Sequence, residues 1–348
     1  MKLLVHGAMG DGQHTLQRTE ALEALPGIEV VRSPVRVTAK GKAAQLLARI
    51  TQRLGWPTDL WGENRQLLEL ARQERPDAVL VENRSVIRAA TLRRIRAETG
   101  ARLAYLCPDD AIARHNLTGW MKGTLPEWDV YFTTKNFNLD ELRQRGVKRP
   151  VLIGNIYTPD LHRPMSPEEV GPEYDAFDLV FIGVYERERA ESLRRLAEAG
   201  LSILVHGPDA GALSGRWARN IPAGITLRPS VWGRDYVAAM HRGKVALGFL
   251  RRSQRDRITQ RSIEVPAMGR PLLAEKTVEH DEHFVDGTEY VGFSSETEMI
   301  EKAKALAADP ARRHAIGEAA VRRCAASHYD VSTLARLIAA HLGEGAGA

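Results

Sequence analysis

The sequence predicts an α/β protein built from two doubly wound parallel sheets. Three observations carry this. Short apolar runs alternate with helical patterns over the first half, a proline-rich stretch interrupts them, and the same alternation restarts behind it. With 348 residues the chain is also longer than one ordinary core supports, and it fits two domains.

The first domain is expected over residues 1–157. KLLVHG, IEVVRS, DAVLVEN (77–83), RLAYLC (102–107), DVYFTT (129–134) and VLIGN (151–155) read as strands. Their apolar residues run on without alternation, as strands covered on both faces require. TLQRTEALEAL, ENRQLLELARQ, SVIRAATLRRIRAE and NLDELRQRG fall between them with helical spacing and supply the cover. Four prolines and no apolar period between Thr158 and Pro172 mark a linker, taken as 158–173.

The second domain is expected over 174–329. FDLVFIG, LSILVHG, ITLRPS, KVALGFL, PLLAEK and YVGFSS read as its strands, with ERERAESLRRLAEAG, GRDYVAAMHRG and two periodic helices from Glu296 to about Ser327 as cover. The last segment, 330–343, carries Leu334, Leu337 and Ile338 on one face and must bury that stripe. Either domain can receive it, including the first by a return of the chain.

Composition narrows the class. Hydrophobic residues at 43% and charged residues at 27% exclude a disordered chain. The net charge of +5 is spread among acidic residues, and neither zinc-ligand spacing nor an RNA-binding aromatic motif occurs, so a nucleic-acid partner is not expected. Cys107 and Cys324 stand far apart in apolar or helical stretches and read as free thiols of a reducing compartment. The apolar run at the start is too short for a signal peptide and no stretch is long enough to span a bilayer, which predicts a cytoplasmic protein.

In doubly wound sheets, ligands meet the carboxyl ends of the strands, and two such domains facing each other enclose a cleft. Chemistry is expected there. In FIGVYERERAESL, Gly183 ends a buried strand and a helix opens within a few residues, so free N–H groups and the positive dipole end suit a pyrophosphate. Arg187 and Arg189 can add forked hydrogen bonds to phosphate; a merely solvated first turn is the competing reading. HGAMGDGQHT follows the first strand without the G-x-G-x-x-G spacing. It is either a tight turn or a loop that admits a ligand bordered by Gly12, Asp11 and His14.

LCPDDAIARHN places Asp109 and Asp110 just after a strand. Adjacent carboxylates repel, which would raise the proton affinity of one and fit it as general base for an acceptor hydroxyl; helix capping is the alternative for the other. His115 reads as structural. In RSIEVPAMGRPLLAE (261–275) a helix either starts near Pro266 or kinks there, leaving Glu264 at a strand-to-helix boundary. Its carboxylate accepts from a ribose diol, or pairs with Arg261 one turn away.

Two basic segments complete the candidates. KGKAAQLLARITQRLGW (40–56) is a basic amphipathic helix whose Leu46, Leu47 and Ile50 are expected to pack on the first sheet, with contact to an anionic membrane as the alternative. RRSQRDRITQR (251–261) either draws in an anionic donor or is solvated.

RSIEVPAMGRPLLAE resembles the carboxyl-terminal signature of retaining GT-B glycosyltransferases, usually E-A-x-A-x-G-x-P-V, and is closest to the CgeB-like, spore-maturation branch, R-x-x-E-x-P-A-x-G. LVFIGVYERERAESLRRL resembles that branch's strand, G-x-Y and arginine helix start, and the run from HFVDGTEYVGF to its helix-H-x-Y ending continues the likeness, so that it covers most of 177–329.

The resemblance implies two Rossmann-like domains facing across a cleft, the first on the acceptor side and the second binding a nucleotide-diphosphate sugar. It implies that Glu264 holds the donor ribose, with Arg261, Arg189, Gly183, Tyr185 and Gly269 around the donor, and that the loop with Gly12 and His14 and the pair Asp109 and Asp110 face the reacting groups. The sugar would pass, with retention and without a metal, to a hydroxyl of a glycan, lipid-linked or protein acceptor. The nucleotide sugar is a co-substrate and no cofactor is expected. One departure stands out: Arg257 occupies the place where the family often carries a second glutamate. A nucleotide-sugar-binding partner without turnover is therefore the alternative reading.

Overall fold

The structure is a computed structural model that describes residues 1–35, 42–184, 187–207 and 221–343. It divides into two compact units, the first made of Met1–Gly154, Arg252–Asp256 and Val331–Ala348, the second of Asn155–Arg251 and Arg257–Asp330.

The first unit holds a six-stranded parallel sheet of β1 (Lys2–Gly7), β2 (Glu29–Pro34), β3 (Ala78–Glu82), β4 (Arg102–Cys107), β5 (Val130–Thr133) and β6 (Pro150–Leu152), in the order β2-β1-β3-β4-β5-β6. The apolar strands behave as their composition demands: every residue of β3 and β5 is buried. Helices α1 (His14–Glu23), α2 (Lys42–Arg53), α3 (Glu63–Glu74), α4 (Ala89–Thr99), α5 (Gly119–Thr124) and α6 (Asn138–Arg143) connect the strands. The order reverses between β1 and β3, which makes the carboxyl ends of those strands the natural ligand position of this sheet.

The second unit repeats the scheme. After the short α7 (Pro167–Val170) come β7 (Phe177–Ile182), α8 (Arg187–Glu198), β8 (Ile203–Gly207), β9 (Ile225–Pro229), α9 (Gly233–His241), β10 (Gly243–Gly248), α10 (Arg261–Ala267), β11 (Leu272–Glu275), α11 (Val278–His283), β12 (Val291–Phe293), α12 (Glu296–Ala308) and α13 (Pro310–Ala326). The sheet order is β12-β11-β10-β7-β8-β9, all parallel, with the reversal between β7 and β10. The predicted α/β class with two doubly wound sheets is the observed fold.

Helix ends follow the chain's local chemistry. Ser166 and Glu169 form a reciprocal capping box on α7, and Asp309 caps α13 with Pro310 in its first turn. The last helix, α14 (Val331–Gly343), buries Leu334 and Ile338 and packs on α1 of the first unit.

Two expectations need correction. α10 begins at Arg261, five residues ahead of Pro266, and the proline sits in its last turn. Only one helical residue follows, so the short helix ends just past the proline. The apolar side of α2 is not packed on the sheet: Leu46, Leu47 and Ile50 are exposed. Lys40 and Gly41, at the start of that predicted helix, lie outside the described residues.

Candidate functional site

In the second unit the reversal between β7 and β10 brings Gly183, the start of α8 and the loop after β10 to one edge of the sheet. Gly183 donates its N–H to the carbonyl of His206 at 2.9 Å, and a Cβ there would stand 2.9 Å from the Phe181 ring. Arg189 is buried beneath this edge. Its guanidinium donates to the carbonyls of Val184 and Phe249, each at 3.3 Å, and lies 5.7 Å from the centre of the Phe181 ring. It thus ties the loop after β7 to the loop after β10. Arg187 is exposed and pairs with Glu191 one turn along at 3.0 Å, which fits the solvated-turn reading. Tyr185 lies outside the described residues.

Glu264, in the first turn of α10, is only 4% exposed. Tyr236 of α9 donates its hydroxyl to Glu264 Oε2 at 2.8 Å, and His162 Nε2 stands 3.7 Å from Oε1. His162 Nδ1 accepts the N–H of Thr158 at 2.9 Å, so the ring proton of the neutral tautomer is on Nε2, the nitrogen nearer Glu264. The ring of His162 meets that of Tyr236 edge-on, with centroids 6.1 Å apart. Burial raises the Tyr236 hydroxyl well above its ordinary range, and the Glu264 charge adds to this, so the phenol remains a donor.

Arg261 completes the cluster. Its guanidinium carbon is 6.0 Å from the centre of the Tyr236 ring, and its buried Nε has no hydrogen-bond partner among the described residues. A buried donor on a permanent cation can take an acceptor that arrives with a ligand; the Nε atoms of Arg242 and Arg270 are likewise buried without a hydrogen-bond partner among the described residues. The alternative pairing of Arg261 with Glu264 is not among the ion pairs of the described residues, and Tyr236 and His162 stand around the carboxylate instead. Sequence reasoning missed both residues, because His162 sits in the proline-rich linker and Tyr236 in a helix read only as cover for the sheet.

Gly269 lies at the far end of α10 from Glu264. It adopts φ +70° where the helix stops, and its carbonyl oxygen is so close to Gly317 on α13 that a Cβ on Gly317 would sit 2.2 Å away. The turn with positive φ calls for glycine at this position, and the close helix approach calls for it at Gly317. Arg257 is exposed and faces Glu279 at 3.6 Å.

In the first unit the two aspartates part company. Asp110 is 1% exposed and accepts from Arg255 Nε at 2.5 Å and Nη2 at 2.9 Å, from Asn138 Nδ2 at 2.9 Å and from the N–H of Ile112 at 3.1 Å. Burial pushes its carboxyl up, but the donors of Arg255, Asn138 and Ile112 together outweigh burial and hold it below the ordinary carboxylate range. The expected raised proton affinity is not found at Asp110. A carboxylate saturated by four donors is a structural anchor and a poor base. Asp109 is half-buried beside it, and its carbonyl faces the Cys107 thiol. His14 opens α1 and Gly12 sits in the preceding turn with φ +73°, while Asp11 is exposed.

Arg252–Asp256, the core of the second basic segment, belongs to the first unit, where Arg255 also pairs with Glu141 at 2.8 Å and Lys135 meets Asp256 at 2.6 Å with both side chains buried. In the first unit a cavity of about 60 Å³ is lined by Tyr105, Tyr131, Cys107, Asn83 and His115 among others. Burial pushes the Cys107 thiol up to about 12, so it is inert at neutral pH. Among the described residues no group of three or more His, Cys, Asp or Glu side chains is placed to hold a metal ion.

Residues 187–339 match the family model of glycosyl transferase-like proteins. The matched region contains α8, Arg261, Glu264 and Tyr236. No curated relative matches the chain in sequence. Solved structures match along nearly its whole length. Sucrose-phosphate synthase from Thermosynechococcus elongatus superposes with a TM-score of 0.69 at 14% identity over 98% of each chain. HepE of Anabaena, in complex with UDP-glucose, gives 0.68 at 12% identity, again over 98% of each. UDP-GlcNAc 2-epimerase of Neisseria meningitidis, bound to UDP-GlcNAc, gives 0.56 at 15% identity over 98% of this chain and 99% of that one. Such likeness establishes the GT-B type of fold for the chain. It leaves the reaction to the site, since transferases and an epimerase share the architecture.

Proposed function

We propose that the chain is a glycosyltransferase whose second unit binds a nucleotide-diphosphate sugar and whose first unit takes the hydroxyl acceptor. The observation that carries the reading is the buried, unpartnered Nε of Arg261 beside the Tyr236–Glu264 pair, within the region that matches the glycosyl transferase-like family. Glu264 accepts from the ribose hydroxyls, and Arg261 turns to a donor phosphate. The first-turn N–H groups of α8, next to Gly183, stabilise the diphosphate as the bond from the anomeric carbon to its phosphate oxygen breaks and charge gathers on the leaving group. Arg189 acts from beneath, holding the loops after β7 and β10.

The acceptor is a glycan, lipid-linked or protein hydroxyl, and its oxygen forms the new bond to the anomeric carbon while its proton passes to a base. His14 or Asp109 is the base we favour, since Asp110 is committed to Arg255. Retention, metal independence, cytoplasmic placement and the CgeB-like branch belong to the same reading and rest on the motif resemblance and the two buried free cysteines.

Binding without turnover is the second reading, favoured by Arg257 in the place of a family glutamate and by its engagement with Glu279. The test is a thermal-shift screen against UDP-, GDP-, ADP-, CDP- and dTDP-sugars, followed by product analysis with the stabilising donor. A ligand that binds the native state alone raises the melting temperature. Stabilisation by one nucleotide class, lost in Glu264→Ala, with transfer to an added acceptor supports the transferase. Stabilisation without any transfer or donor breakdown favours the binding protein, and no stabilisation by any donor sinks both.

A further inference from the structure

We propose that α2 docks the chain on an anionic lipid surface. Eleven large apolar side chains are exposed among the described residues, and five of them fall in one short stretch: Leu46 at 58%, Leu47 at 45%, Ile50 at 47%, Leu54 at 70% and Trp56 at 52%. The other six are scattered along the chain, as on any soluble surface, whereas a contiguous patch calls for an occupant.

The helix register sharpens this. At 100° per residue, Leu46, Leu47 and Ile50 fall within one arc of roughly 100°, with Arg53 directly along its edge. The residues turned inward are small: Ala48 and Thr51 are half-buried, and Thr51 bonds the carbonyl of Leu47, while the exposed Gln52 bonds the carbonyl of His115 at 3.1 Å. The helix therefore rests on the first unit by its small side and presents its large apolar side outward. This is the reverse of a core-packed amphipathic helix.

Two further features select lipid over a protein partner. Between Val35 and Trp56 the sequence carries Arg36, Lys40, Lys42, Arg49 and Arg53 and no acidic residue, a charge complement to acidic headgroups. Trp56 packs edge-on against Trp120 with ring centroids 4.7 Å apart, and Trp120 is held by its Nε1–H on the carbonyl of Pro57 and by the Arg88 guanidinium 4.7 Å from its ring centre. An indole fixed at the end of such a helix and half open to solvent suits the headgroup level, where amphipathic rings settle. No helix among the described residues is long and apolar enough to cross a membrane, so the contact is one of lying on the surface. The proposal does not depend on the donor site.

Vesicle co-sedimentation of the full chain tests it, with vesicles of phosphatidylcholine alone and of phosphatidylcholine with about one-third phosphatidylglycerol. Binding is expected to the anionic vesicles only, to weaken as salt rises, and to fall at least about tenfold both in Leu47→Glu/Ile50→Glu and in Lys42→Glu/Arg53→Glu, with unchanged melting temperatures. No binding to anionic vesicles, or equal binding by the variants, overturns the proposal. So does a wild-type dimer in sedimentation velocity that becomes monomeric in Leu47→Glu/Ile50→Glu, because a second copy then covers the face.

Discussion

The hydroxyl of Tyr236 on α9 donates to Glu264 Oε2 on α10 at 2.8 Å, both groups buried, and fixes the carboxylate beside the unpartnered Nε of Arg261. If this pair aims Glu264 at a donor ribose, its two halves contribute unequally. Tyr236→Phe removes one net hydrogen bond, worth about 1 kcal/mol, and should raise the dissociation constant of the stabilising nucleotide sugar about 3- to 10-fold. Glu264→Ala removes the acceptor itself and should cost more than about tenfold. Calorimetric titration of folded variants reads both, and an unchanged constant in Glu264→Ala would end the assignment.

Arg255 carries the charge that Asp110 needs. Arg255→Ala leaves a carboxylate that is 1% exposed with only Asn138 and Ile112 as donors. Breaking a fully buried pair costs about 3–5 kcal/mol, but the Arg255 side chain is 46% exposed and water can replace part of its field, so about 1–3 kcal/mol is expected. Urea denaturation followed through the first unit measures it. If Asp110 were instead a free base, Arg255→Ala would leave stability unchanged and shift the pH profile of turnover.

Two buried histidines make the second unit sensitive to mild acid. His241 Nε2 accepts the N–H of Met165 at 3.1 Å, and His280 Nε2 meets the Ser262 hydroxyl at 2.8 Å. Burial drives both imidazoles down to about 4. With folded values below the unfolded one near 6.5, the unfolded chain binds more protons, so their stabilisation is complete above that pH and is lost as pH falls toward 4. Each contributes up to about 3 kcal/mol across that window. The urea midpoint should drop between pH 7 and pH 5, and His241→Gln should flatten the slope by one proton; a flat wild-type profile contradicts the buried neutral state.

Gly317→Ala sets two effects against each other. Alanine is the better helix former by about 1 kcal/mol. Its Cβ, however, would stand 2.2 Å from the carbonyl oxygen of Gly269, and that oxygen is backbone and cannot swing aside. Overpacking of this kind costs about 1–3 kcal/mol or more, so the variant should be destabilised, with a lower melting temperature despite the gain in propensity.

The fold was legible because its signals are local and repeated. Continuous apolar runs such as those of β3 and β4, spaced by amphipathic helices and broken once by prolines, leave few arrangements other than two doubly wound sheets. Glu264 and Arg261 were legible for a different reason, since both lie in a motif short enough to be recognised in one stretch.

Sequence by itself thus determined the class, the two sheets and one edge of the candidate site. Tertiary structure decided which side chains meet Glu264, because Tyr236 and His162 approach it from other segments and nothing in either segment marks a partner so far along the chain. It decided that Asp110 is spent on Arg255, 145 residues away, a pairing that adjacency to Asp109 concealed. It also decided which way α2 faces. A helical period shows that Leu46, Leu47 and Ile50 share one side, but only packing shows whether that side meets a core or water, and here Ala48 and Thr51 take the inner place.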